Sequence, residues 1–162
     1  MEIKTVSTLD LTLDPNNARR HSARNIEVIA NSLKDFGQRK PIVVTTSGMV
    51  IAGNGTLEAA RSLSWDYIDV VYVPTTWTPN QIKAYALVDN RAAELAEWDT
   101  SVLAEQLINL SDLIDIQTFG FNPLEQTPEI EKALDEFKEI STETETDYRC
   151  PKCAYEWNGK SR

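Results

Sequence analysis

The run Val50-Ile51-Ala52-Gly53-Asn54-Gly55-Thr56 constrains this chain more than any other. A short β-rich stretch ends directly in two glycines, and Leu57, Ala60 and Leu63 follow at helical spacing. A strand that passes into a helix through Gly-x-Gly has few geometries open to it. The glycines permit close backbone approach, while the first turn of the helix presents unpaired N–H groups and the positive end of its dipole. Such a corner suits a phosphate, although two glycines also serve a simple tight turn.

The surrounding pattern supplies the rest of a small domain. Residues 2–13 alternate β-branched, apolar and polar side chains, as a half-buried strand does, and Asp14-Pro15-Asn16-Asn17 follows as a turn. Over 25–36, Ile26, Ile29, Ala30, Leu33 and Phe36 fall on one helical face, with Gly37 as the stop. Residues 41–45 and 49–52 read as strands joined by a tight hairpin at Thr46-Ser47-Gly48. A further strand spans 67–73, closed by Pro74. The order is β-α-β-β-α-β, an α+β arrangement. Pro79 then opens a helix running through Asp89-Asn90-Arg91 towards Trp98, and residues 100–110 form another amphipathic helix.

At 162 residues and 41% hydrophobic content, the chain can build one core with an appendage. No apolar run reaches the roughly 20 residues needed to span a bilayer, and the N-terminus lacks a signal-peptide layout, so a cytoplasmic protein is expected. The net charge of −9 is unevenly spread. Residues 1–61 carry eight basic against six acidic side chains, which leaves −11 for the remainder. A local basic face can bind phosphate on an acidic molecule. Residues 125–147 hold nine acidic and two basic side chains and are expected to be a solvated linker, with a helix over 128–140.

Over about its first hundred residues the chain resembles the ParB N-terminal family, related in fold to sulfiredoxin. The resemblance rests on Asn17-Ala18-Arg19, the 25–36 helix with the Gly37-Gln38-Arg39-Lys40-Pro41 stretch after it, the GNGTLEAAR box at 53–61, and Ala86-Leu87-Val88-Asp89-Asn90. It implies a ParB/sulfiredoxin-like small mixed sheet with packed helices over residues 1–98, followed by a helical extension at 99–124. Carried over residue by residue, it implies nucleotide phosphates at Gly53, Asn54, Gly55 and Thr56, with Arg19 and Arg39 neutralising charge. Asp89 and Asn90 would match the family's acidic-Asn pair, which serves magnesium and nucleotide hydrolysis. The wording GNGT with Trp98-Asp99 is most similar to the phage-encoded branch. A DNA-associated, nucleotide-binding protein in the host cytoplasm is therefore implied, with three alternatives on the same scaffold: a phosphotransferase, a nuclease, or a non-catalytic adaptor in a DNA-modification or packaging complex. The chain departs from partitioning ParB in having no arginine after the glycine box until Arg61, and from sulfiredoxin in having no cysteine in that loop.

Cys150 and Cys153 are the only cysteines, too few for a disulfide framework. Their Cys-x-x-Cys spacing at 148–162 reads as one knuckle of a zinc ribbon, half of a tetrahedral site. A homodimer or a partner protein would complete four thiolates, and a metal-free redox pair is the alternative. His21 is the only histidine and is read as an exposed loop residue.

Overall fold

The computed structural model describes residues 2–122, 148–153 and 156–157. The chain divides into two units, Met1–Pro128 and Glu129–Arg162. In the first, β1 (Ile3–Ser7), α1 (Ala23–Phe36), β2 (Ile42–Val44), β3 (Val50–Ala52), α2 (Asn54–Ser62) and β4 (Tyr67–Tyr72) follow in the expected order. Two further helices, α3 (Pro79–Glu94) and α4 (Thr100–Leu110), come after them.

The strands form one mixed sheet in the order β1-β4-β2-β3. β4 lies antiparallel to β1, with Thr5 opposite Asp69, and parallel to β2, with Val43 opposite Val71. β2 and β3 form the antiparallel hairpin, turned at Gly48, whose φ of +83° requires glycine. Val44, Val50, Leu57, Ile68 and Val70 are fully buried, and Ala30 and Leu33 of α1 complete the core with Ala59 and Ala60 of α2. Burying a side chain such as Leu57 stabilises the fold by about 1.5–3 kcal/mol. Through these small alanines α2 packs chiefly against α1. This fixes the corner where β3 becomes α2.

The strand expected over 2–13 is shorter. After Ser7 the chain enters a 3-10 turn at Thr8–Asp10, and regular pairing is limited beyond it to a bridge between Thr12 and Met49. The cause is polar: Thr8 is 3% exposed and its hydroxyl donates to the Trp65 carbonyl at 2.8 Å. Arg61 donates to the Thr8 and Leu11 carbonyls at 2.7 and 2.8 Å, holding the turned backbone. Buried polar groups need such partners, and the alternating pattern gave way to them.

Helix ends follow their caps. Ser22 accepts the Asn25 N–H and starts α1 at Ala23, two residues before the helix expected over 25–36. Thr78 and Gln81 form a capping box around Pro79, and Asp99 caps α4 through the N–H groups of Ser101 and Val102. Phe36 was expected inward but is 51% exposed and instead rests against the Phe119 ring, centroids 5.5 Å apart. α3 buries none of its side chains fully. Among the described residues, no helix is long and apolar enough to cross a membrane.

In the second unit, β5 (Tyr148–Arg149) and β6 (Glu156–Trp157) pair antiparallel, Tyr148 opposite Trp157. The expected acidic linker, 125–147, and its helix over 128–140 lie outside the described residues.

Candidate functional site

Gly53 stands at the N-terminus of α2 with φ +98°, and a Cβ there would lie 2.5 Å from Ile42 Cγ2. Both the left-handed backbone and the crowding demand glycine. Having no side chain, Gly53 cannot cap α2, so the first-turn N–H groups lack intrahelical acceptors and a side-chain cap. A cavity of about 240 Å³ opens there, lined by Asn17, Arg19 and His21, by Asn25 and Ile29 of α1, by Gly53, Asn54, Gly55 and Thr56, and by Asn90 of α3. Stretches separated by up to some 70 residues of sequence thus meet at one helix end. Arg19 Nη1 donates to Asn90 Oδ1 at 3.2 Å, and Asn90 Nδ2 donates to the Ala86 carbonyl at 2.8 Å. This places a guanidinium beside the positive end of a helix dipole, an arrangement suited to an anion.

The four residues of the glycine box differ in what they do. Asn54 is 7% exposed, and its amide is already engaged: Oδ1 accepts the Asp14 N–H at 3.0 Å, and Nδ2 faces the Val50 carbonyl at 3.5 Å. It ties the first loop to β3, leaving its backbone for the cavity. Gly55 lies under the His21 ring; a Cβ there would meet Cε1 and Nδ1 at 2.8 Å and Cγ at 3.1 Å. His21 in turn shares a 2.7 Å hydrogen bond from Nδ1 to Asn25 Oδ1. His21 is thus a half-buried cavity residue and not the exposed loop histidine expected. The legible signal was the second glycine together with an asparagine four residues after the histidine. Sequence reasoning missed both His21 and Asn25.

Arg39 does not line this cavity; its guanidinium lies beside Gly37. Asp89 and Asn90 are neighbours on a helix and face differently. Asn90 lines the cavity, whereas exposed Asp89 accepts a 3.4 Å hydrogen bond from the Tyr85 hydroxyl. Burial, then the Asp89 charge and this bond, hold the Tyr85 phenol above its ordinary range. No carboxylate lines this cavity, but Asp14 and Glu58 line an adjoining one that shares Asn17, Arg19, His21 and Asn54 with it. A second chamber of about 650 Å³ adjoins the first and shares Asn17, Ile51 and Asn90 with it. Met49, Ile82, Ala86 and Leu87 give it a largely apolar wall.

In the hairpin of the second unit, Cys150 directly follows β5 and Cys153 ends the same turn. The N–H groups of Lys152 and Cys153, then the Cys153 thiol, hydrogen-bond Cys150 sulfur and hold its pKa below the ordinary thiol value. Both cysteines are free.

A four-stranded mixed sheet packed by helices, with an uncapped helix end facing an arginine loop, defines an α+β domain of ParB-like architecture. Comparison with known proteins agrees. No family model matches the chain. The "ParB-like nuclease domain-containing protein YnaK" of Escherichia coli K12 is 36% identical over 56 residues, which is 35% of this chain. The match spans 64% of that relative, a little under two thirds of its length. Chromosome-partitioning ParB from Caulobacter crescentus, C-terminally truncated and complexed with CTP-γ-S, superposes with a TM-score of 0.61 at 16% identity, covering 78% of this chain and 75% of that one. The C. crescentus protein complexed to the centromeric parS site aligns with a TM-score of 0.45 at 17% identity, over 74% and 65% of the two chains. The chain therefore has a ParB-like fold.

Proposed function

We propose that the chain is a nucleotide-binding, DNA-associated protein of the phage ParB type, with residues 1–98 as the binding domain and 99–124 as its helical extension. A nucleoside triphosphate would place its phosphates against the backbone N–H groups of Gly55 and Thr56, with Arg19 and His21 alongside and the nucleoside reaching the adjoining apolar chamber. The observation that carries this reading is the junction of the uncapped α2 end with Arg19 in one cavity. The CTP-γ-S complex of the structurally similar C. crescentus protein supports it. Of the residues the resemblance implied, Arg39 plays no part in this version, and magnesium would enter only as a companion of the ligand's own phosphates.

Calorimetric titration with ATP, CTP and their diphosphates tests the proposal. Saturable binding is expected, weakened about 10- to 100-fold in Arg19→Ala, since a charge-assisted hydrogen bond contributes about 1.5–3 kcal/mol. No binding by any nucleotide would overturn it. DNA association predicts an affinity that falls steeply as salt rises, through basic side chains such as exposed Arg20 beside the cavity. Hydrolysis, phosphoryl transfer and nuclease activity would draw on Asp89 and Asn90, of which only Asn90 reaches the cavity. The adaptor reading is favoured by one observation: Leu87, Val88, Leu95 and Trp98 are between 58% and 69% exposed, an apolar surface that a partner protein would cover.

A further inference from the structure

The Cys150-Pro151-Lys152-Cys153 turn stands apart from the nucleotide reading. Its residues link the two strands of a hairpin, where Arg149 pairs with Glu156. Redox-active Cys-x-x-Cys pairs commonly sit at helix N-termini; here the turn joins strands. Cys150 follows β5 directly and Cys153 lies three residues on in the same turn of the hairpin, so both thiols project from one bend between paired strands. That is how a knuckle offers two thiolates to one metal. The turn is reachable: Cys150 is half-buried and Cys153 exposed.

Two sulfurs do not satisfy zinc, which takes four protein ligands in a structural site. The chain holds two cysteines and one histidine in all. Among the described residues, no three Cys, His, Asp or Glu side chains come together. A two-fold axis through the metal supplies the remaining ligands in the simplest way, because the same turn of a second copy brings two identical thiolates. Thiolate sulfur selects zinc over the harder divalent ions. We propose that Cys150 and Cys153 bind one zinc ion jointly with Cys150 and Cys153 of a second copy of this chain, as a four-thiolate site that links two molecules.

The test uses the full chain purified from zinc-supplemented culture, with metal content measured by plasma mass spectrometry and mass by non-denaturing mass spectrometry. The expected result is one zinc per two chains, loss of that metal in both Cys150→Ser and Cys153→Ser, and a cobalt(II)-substituted form with the absorption of a tetrahedral tetrathiolate. Circular dichroism of the serine variants should match the parent, since the core lies in the other unit. A chain without zinc would overturn the proposal. So would one zinc per monomer, which would mean ligands from the same chain, or zinc retained in the serine variants.

Discussion

The contact between Gly55 and His21 makes a quantitative prediction. Replacing Gly55, a first-turn residue of α2, by alanine should by itself stabilise the helix by about 0.5–1 kcal/mol, because glycine loses more backbone entropy on folding. The new Cβ would, however, sit 2.8 Å from Cε1 and Nδ1 of His21, where ordinary contact begins at 3.4 Å. The ring would have to shift by more than half an ångström, straining its 2.7 Å bond to Asn25. Overpacking of this kind costs about 1–3 kcal/mol. Because His21 is half-buried on a loop that can partly yield, we expect the lower end of that range, so that Gly55→Ala is neutral to destabilising by about 1 kcal/mol in the parent protein. In a His21→Ala background the clash is gone, and the same substitution should stabilise by the full 0.5–1 kcal/mol. Urea denaturation of the four proteins measures the coupling directly, expected at about 1–2 kcal/mol. Equal effects of Gly55→Ala in both backgrounds would refute the idea that the second glycine exists to seat His21.

Two other perturbations address the scaffold of the site. Asn54→Ala should destabilise by about 1–3 kcal/mol, since it leaves the Asp14 N–H without its side-chain acceptor in a partly buried setting; an unchanged denaturation midpoint would rule out the tie between the first loop and α2. Hydrogen bonds from the Ser101 hydroxyl and the Val102 and Ser101 N–H groups hold the Asp99 carboxyl below its ordinary pKa. A group depressed in this way contributes stability in full above its unfolded value and loses it as pH falls through its folded value. Acid titration of α4, followed by backbone NMR shifts, should therefore show fraying that Asp99→Asn, a cap that cannot titrate, makes independent of pH.

Much of the domain was readable because its signals are local. Helical periodicity located α1, turn chemistry located the β2–β3 hairpin, and Gly-x-Gly marked the strand-to-helix corner. The errors arose where a polar group found a distant partner. Nothing within residues 2–13 announces that Thr8 will bond to Trp65 or that Arg61 will reach back to turn the chain. Likewise, Asp89 and Asn90 look equivalent in sequence, but a helix advances about 100° per residue, and only one of them can face the loop that carries Arg19. His21 was hidden for the same reason. Its importance depends on a glycine 34 positions away, which reads as a backbone requirement until the two are seen in contact.

The division of labour inside 53–56 limits how this protein could acquire a different ligand. Three of the four positions are committed to architecture: Gly53 by its backbone and Ile42, Asn54 by its two amide contacts, Gly55 by the imidazole above it. Thr56 alone is half-exposed to the cavity with no such obligation. A library randomised across the whole box would spend most of its members on chains that no longer fold. One built on Thr56, Asn17 and Asn90 would keep the cradle intact while changing what it can hold.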